Sequence, residues 1–134
     1  MFTNGVFDVL HVGHIALLEA ARAEGQALIV GVNDDASARR LGKGGDRPHV
    51  PAADRARLLA ALHAVDCVVV FPEETPLELI RALHPDILVK GADWALEDIV
   101  GRDEVEATGG RVVRVDVVPG VSTTEIIRRI QGTG

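Results

Sequence analysis

A lone cysteine, Cys67, rules out an internal disulfide, so noncovalent packing must hold this 134-residue chain together. Tyrosine is absent, and three Phe with one Trp bring the aromatic fraction to only 3%, which leaves core packing to aliphatic side chains. A cationic excess is missing too. The formal net charge of −6 argues against nonspecific nucleic-acid binding, which depends on neutralising a phosphate backbone. One phosphate site needs only a local positive field, so a nucleotide remains compatible with this charge. No basic segment followed by an apolar stretch opens the sequence, and no apolar run approaches the ~20 residues of a membrane span. These absences, with the unpaired thiol, predict a cytoplasmic chain with neither membrane nor nucleic-acid partners.

What is present fits one globular domain over residues 1–134. The hydrophobic fraction of 47% suffices for a core, and 25% charged residues separate the chain from disordered compositions. Short aliphatic runs at Ala27–Val32, Cys67–Phe71 and Ile87–Val89 read as parallel strands covered on both faces. Within the second run Cys67 is expected as a buried structural thiol rather than a nucleophile. Arg111–Val115 is strand-like but carries two arginines, which suits a more exposed strand. Helical spacing of apolar residues marks His14–Glu24, Ala53–His63 and Pro76–Leu83, with His84-Pro85 as a stop. Alternation of strands and helices predicts an α/β, Rossmann-like domain with a mostly parallel sheet and helices on both faces. Gly42-Lys43-Gly44-Gly45-Asp46-Arg47-Pro48 interrupts the pattern as a loop with mobile positive charge, either a plain connection or an active-site lid.

Two segments carry phosphate chemistry. The first is Thr3-Asn4-Gly5-Val6-Phe7-Asp8-Val9-Leu10-His11-Val12-Gly13-His14, which follows a short first strand and enters a helix. A helix N-terminus offers unpaired amides and a favourable dipole to an anion, Gly13 lets backbone approach closely, and two imidazoles can donate to phosphoryl oxygens. Two ordinary histidines, one capping and one packing, would explain the same spacing. Asp8 either caps the turn or recruits a cation; no further ligands accompany it. The second segment, Pro119 to Ile130, places Ser122, Thr123 and Thr124 at another helix start. Ser122 and Glu125 have capping-box spacing, Ile126, Ile127 and Ile130 form an apolar face, and the hydroxyls and amides suit a nucleotide phosphate. Lys90 and Asp93 lie beyond a strand end, where open sheets bind ligands, although a solvated charge and a surface cap fit them equally well.

Residues 3–14 resemble the TNGxFDxxHxGH element of the cytidylyltransferase-like nucleotidyltransferases, and residues 121–130 resemble their xSTTxIIxxI ending. With Leu88-Val89-Lys90-Gly91-Ala92-Asp93-Trp94, the pattern is most similar to the adenylyltransferase domain of bacterial heptose-1-phosphate adenylyltransferases. Three separated elements in order span nearly the whole chain. The resemblance implies that His11, His14 and the mobile-loop Lys43 act on the transferring phosphoryl group. It also implies nucleotide and acceptor contacts from Thr3, Asn4, Gly5, Phe7, Gly13, Arg55, Lys90, Asp93, Ser122, Thr123 and Thr124, Lys90 meeting the acceptor phosphate and Asp93 the sugar hydroxyls. A surface charge on the helix is the plain alternative for Arg55, and Val6 stands where heptose relatives frequently carry cysteine.

The reaction so implied joins AMP from ATP to D-glycero-β-D-manno-heptose 1-phosphate with release of pyrophosphate, assisted by Mg²⁺ and run by a homodimer. The acceptor phosphate is itself an anionic nucleophile, so no covalent enzyme intermediate is needed. A cytidylyltransferase acting on glycerol 3-phosphate or another phosphorylated alcohol, and a nucleotide-binding module without catalysis, are the competing expectations.

Overall fold

Because β side chains alternate between faces, a continuous aliphatic strand can pack against helices on both sides. That is the arrangement adopted in a computed structural model of the chain, which describes residues 1–41 and 47–132. The elements run β1 (Phe2–Gly5), α1 (Val12–Arg22), β2 (Ile29–Asn33), α2 (Asp35–Arg40), α3 (Ala52–Ala60), β3 (Cys67–Phe71), α4 (Leu77–Leu83), β4 (Ile87–Gly91), a 3-10 turn (Leu96–Asp98), α5 (Arg102–Ala107), β5 (Arg111–Val115) and α6 (Thr123–Gly132). All strand pairs are parallel, in the order β3-β2-β1-β4-β5. On one face Val30, Val32 and Val89 pack with Leu18, Ala21 and Leu59 of α1 and α3. On the other, Phe2 and Leu88 meet Ile80 and Val105 of α4 and α5. Each such fully buried side chain stabilises the fold by about 1.5–3 kcal/mol before entropy is counted.

The sheet order explains where the sequence reading departs from the structure. β3 and β5 are the edges. The exposed edge expected for Arg111–Val115 is present, but β3 is an edge as well, and there Cys67 is exposed rather than buried. Val70 on the same strand is also exposed. An apolar run does not reveal whether its strand lies inside or at the rim. In α6, Ser122 Oγ accepts from the Glu125 amide at 3.0 Å, but the Glu125 carboxylate turns to Arg128 at 2.7 Å, so the expected capping box is one-sided. Ile130, expected on the apolar face of α6, is largely exposed. At the end of α4, His84 adopts a left-handed conformation (φ 49°), and Pro85 prevents continuation. Among the described residues no helix is long and apolar enough to cross a membrane.

Two features position the site. β1 pairs with β2 along its full length, Phe2–Gly5, but with β4 only at Phe2 and Leu88. The two strands therefore part towards their C-terminal ends, at the point where the chain reverses its direction across the sheet. That is the crevice in which open α/β sheets bind ligands. Beneath it lies Arg55 of α3, whose side chain is fully buried. Its guanidinium donates to the carbonyls of Val50 (2.8 Å), Val6 (2.7 Å) and Asn33 (2.8 Å) and to the Asp35 carboxylate (2.7 Å). One side chain thus fastens the loop after β1, the end of β2, the start of α2 and the segment before α3. Replacing Arg55 with Ala orphans three carbonyls and should cost on the order of 3 kcal/mol in urea unfolding. A loss below about 1 kcal/mol would contradict this bracing role.

Candidate active site

The loop from β1 to α1 is held in a strained path: Phe7 and Val9 have φ of 54° and 52°, values that side-chain-bearing residues seldom adopt, β-branched ones least of all. Three contacts fix it from outside. Asp8, only 3% exposed, accepts from the amides of His49 and Val50 at 3.0 Å and lies 3.6 Å from Arg47 Nε. The Thr123 hydroxyl donates to the Asp8 carbonyl at 2.5 Å. Arg55 holds the Val6 carbonyl, as described above. The loop ends at His11, the N-cap of α1.

At that cap the two histidines complete each other. Nδ1 of His11 accepts from the amides of Gly13 (3.0 Å) and His14 (3.4 Å), while Nδ1 of His14 accepts from the amide of His11 (3.2 Å). This is a capping box made of two imidazoles. The rings stack at 3.7 Å with 22° between planes, and Phe7 meets the His14 ring edge-on at 5.2 Å. Gly13 is required by this packing. A Cβ there would come within 2.8 Å of His11 Cε1 and 2.9 Å of its Nδ1. Because each Nδ1 accepts a hydrogen bond, the proton of each neutral ring must sit on Nε2, which is left as a donor to any ligand beside it. Burial lowers the pKa of both rings; for His14, burial first and then the charge of His11 bring it down to about 4. At neutral pH the pair presents two uncharged N–H donors.

Both histidines line a cavity of about 340 Å³ whose opposite wall is Ser122, Thr123 and Thr124 at the start of α6. Asp8, Asp93 and Arg47 complete its polar lining. Val6 and Leu41 also border a second cavity of about 390 Å³, lined by Asn4, Gly5, Lys90 and Trp94 and, from across β2 and β3, by Asn33, Glu74 and Thr75. Lys90 Nζ reaches the Asn4 carbonyl at 3.4 Å and stands 5.4 Å from the Trp94 ring centre. Burial pulls the Lys90 pKa down to about 8, opposed by the negative charge of Asp93. Asp93 itself fits because Gly91 has no side chain: a Cβ there would lie 2.5 Å from Asp93 Oδ1.

The residues expected from the sequence thus fall into separate places. His11, His14, Asp93, Ser122, Thr123 and Thr124 share the first cavity, and Asn4, Gly5 and Lys90 the second. Phe7 and Gly13 shape the histidine pair. Thr3 is fully buried within β1, and Arg55 is a buried brace rather than a surface charge. Lys43 lies outside the described residues. Asn33, Glu74 and Thr75 join the cavity walls without having been singled out, and Arg47, read from the sequence only as positive charge in the glycine-rich loop, joins them. Among the described residues no cluster of three or more metal-ligating side chains exists. Asp8 is already engaged by two amides and Arg47, which leaves Asp93 as the other carboxylate of the first cavity. This donor set fits a divalent ion carried in on phosphates rather than a protein-held one.

A parallel sheet with a phosphate-suited crevice at its switch point defines an α/β nucleotide-binding class. Within it the chain belongs to the cytidylyltransferase-like family, whose model matches residues 2–129. It is 58% identical over 130 residues to the bifunctional protein HldE of Syntrophotalea carbinolica and 57% identical over 133 residues to that of Gluconacetobacter diazotrophicus. These alignments cover 97% and 99% of this chain, which spans 26% and 27% of those relatives. The crystal structure of the lipopolysaccharide core biosynthesis protein from Thermoplasma volcanium is similar at a TM-score of 0.75 and 28% identity, covering 87% of this chain and 95% of that one.

The histidine pair also makes a pH prediction. A folded-state pKa of about 4 for His14, below the ordinary histidine value of 6.5, means that the unfolded chain binds its proton first. Stability should therefore fall as pH drops from about 6.5 towards 4, and His14→Gln should flatten that slope in melting temperatures measured across this range. An unchanged slope would show that His14 is not held neutral by the fold.

Proposed function

We propose that the chain is an adenylyltransferase that moves AMP from ATP to a sugar 1-phosphate, D-glycero-β-D-manno-heptose 1-phosphate, to give ADP-heptose and pyrophosphate. The observation that carries this reading is the pair of cavities meeting at Val6 and Leu41, one lined by the two histidines and the start of α6 and the other by the half-buried cation of Lys90. In the first, the Nε2–H groups of His11 and His14 and the amides and hydroxyls at the start of α6 would hold the triphosphate. In the second, Lys90, mostly protonated at pH 7 with a pKa of about 8, would draw in the acceptor phosphate, and Asp93, which lines the first cavity, would accept from sugar hydroxyls reaching into it. Asn4, Gly5 and Trp94 would border that acceptor. A relative named for lipopolysaccharide core biosynthesis supports a sugar as the acceptor.

An acceptor phosphate oxygen forms a bond to the α-phosphorus, and the bond from that phosphorus to the bridging oxygen breaks, its electron pair leaving with pyrophosphate. No protein nucleophile enters. Neutral imidazoles suit the step because they donate without offering a proton acidic enough to quench the acceptor anion. His11 and His14 stabilise charge on the transferring phosphoryl oxygens, and Lys43 belongs to the same assignment as a cation for the triphosphate. Mg²⁺ arriving with ATP would neutralise phosphate charge, and the Asp93 carboxylate in the first cavity would help to hold it. The same reading places the enzyme in the cytoplasm as a homodimer, without membrane or nucleic-acid partners; light scattering over a concentration series should show the dimer, and a monomer throughout would reject it.

A product-resolved screen of ATP and CTP against heptose 1-phosphate, other sugar phosphates and glycerol 3-phosphate decides the substrates. ADP-heptose with equimolar pyrophosphate is expected. A CDP product would move the chain to the cytidylyltransferase alternative, and nucleotide binding without any product would make it a binding module. In the same assay His14→Ala should keep its fold by circular dichroism but lose turnover on the order of 10²-fold at saturating substrates. Near-wild-type turnover would remove His14 from the chemistry.

A further inference from the structure

The second cavity runs across the tips of four strands. Lys90 comes from β4, Asn4 from β1 and Asn33 from β2, while Glu74 and Thr75 belong to the segment after β3. That last wall is fastened from α2 and β2. Arg40 donates from Nη2 to the Pro72 carbonyl at 2.9 Å and from Nε to Glu74 Oε1 at 3.1 Å. Asn33, only 2% exposed, donates more weakly from Nδ2 to the Glu73 carbonyl at 3.5 Å. These bonds fix the backbone on either side of Glu73 and aim the Glu74 side chain. Arg40 takes one oxygen of that carboxylate; among the described residues the other, Oε2, accepts no hydrogen bond.

Charge then sorts the two ends of the cavity. Lys90 Nζ lies against the Asn4 carbonyl of β1, and β3 stands two strand spacings away, about 10 Å. A phosphate is drawn to the cation and repelled by the carboxylate, so the far end of an acceptor seated on Lys90 has to be uncharged. A carboxylate oxygen can only accept, so that end must also carry donors, which in a sugar phosphate are hydroxyls. We propose that Glu74, with Thr75 beside it, binds the hydroxyls farthest from the acceptor's phosphate and selects the acceptor by them. Arg40 and Asn33 are then positioning residues, which hold the Glu74 carboxylate towards the cavity. The span suits a pyranose with an exocyclic chain better than a three-carbon alcohol. On the acceptor proposed above, the hydroxyls concerned are those of C6 and C7.

The inference rests on the proposed sugar-phosphate reaction, and a comparison of two acceptors separates the two. β-D-mannose 1-phosphate has the same ring as the heptose and lacks only the seventh carbon with its hydroxyl. Steady-state kinetics with ATP would be measured on both sugars for the full chain and its Glu74→Ala and Glu74→Gln variants. The preference for heptose, as a ratio of kcat/KM values, should fall about 10-fold in Glu74→Ala, through a higher heptose KM, while the KM for ATP stays within about twofold. Glu74→Gln should fall between, because it keeps a hydrogen-bonding group and loses the charge. No preference for heptose in the wild type, an unchanged preference in Glu74→Ala, or a loss shared equally by both sugars would overturn the assignment. A wild-type chain that turns over neither sugar would instead overturn the adenylyltransferase reading, and this inference with it.

Discussion

The exchange of hydrogen bonds between His11 and His14 sets what this site can do to a phosphate. An ordinary N-cap satisfies amides with a serine, threonine or aspartate oxygen. Here the caps are imidazoles, and a ring that accepts at Nδ1 is obliged to donate from Nε2. The bonds that satisfy the helix end are the same ones that leave two outward N–H donors. The stacking of the rings, the Phe7 edge beneath His14 and the missing side chain at Gly13 all serve that geometry. Burial keeps the rings uncharged, which removes the repulsion that two stacked imidazolium groups would feel.

The pair would be of little use without a sheet that opens in the right place. β1 and β4 separate after one paired position, and the gap admits Lys90 from one side and the β1–α1 loop from the other. Arg55 and Asp8 stand under and behind that loop, bonding to backbone groups of Val6, Asn33 and Val50. Such bracing accounts for the positive φ at Phe7 and Val9, since a strained backbone persists only where its surroundings hold it. Thr123 closes the frame by tying α6 to the Asp8 carbonyl, so the two helix ends facing the cavity are fixed to one another.

Much of this was legible in the sequence, and the limits have physical causes. Aliphatic runs and helical spacing located four of the five strands and the long helices, because burial dictates both patterns locally; β1, Phe2–Gly5, takes in Thr3, Asn4 and Gly5, which were read as following a short first strand. The first helix begins at Val12, before the apolar spacing that starts at His14, and its N-cap is His11, the capping role weighed in the sequence for one of the two histidines. The exposure of Cys67 was hidden, because strand order arises from long-range pairing that no local run records. For the same reason Arg55 reads as a surface charge: its partners lie 5, 20, 22 and 49 residues away, and only the fold brings those carbonyls and Asp35 around it. The two segments that line the first cavity were visible for the opposite reason, each being contiguous in sequence at a helix start.

The tautomeric state of the two histidines tests the account most directly. Long-range proton–nitrogen NMR on ¹⁵N-labelled chain at pH 7.5 distinguishes Nε2–H, Nδ1–H and imidazolium rings. His11 and His14 should both appear as neutral Nε2–H tautomers, and their Nε2 resonances should move on addition of ATP while Nδ1 remains hydrogen-bonded to the backbone. An Nδ1–H tautomer or a charged ring at either position, or Nε2 signals indifferent to saturating nucleotide, would contradict the claim that the helix cap and the phosphate donors are the same two rings.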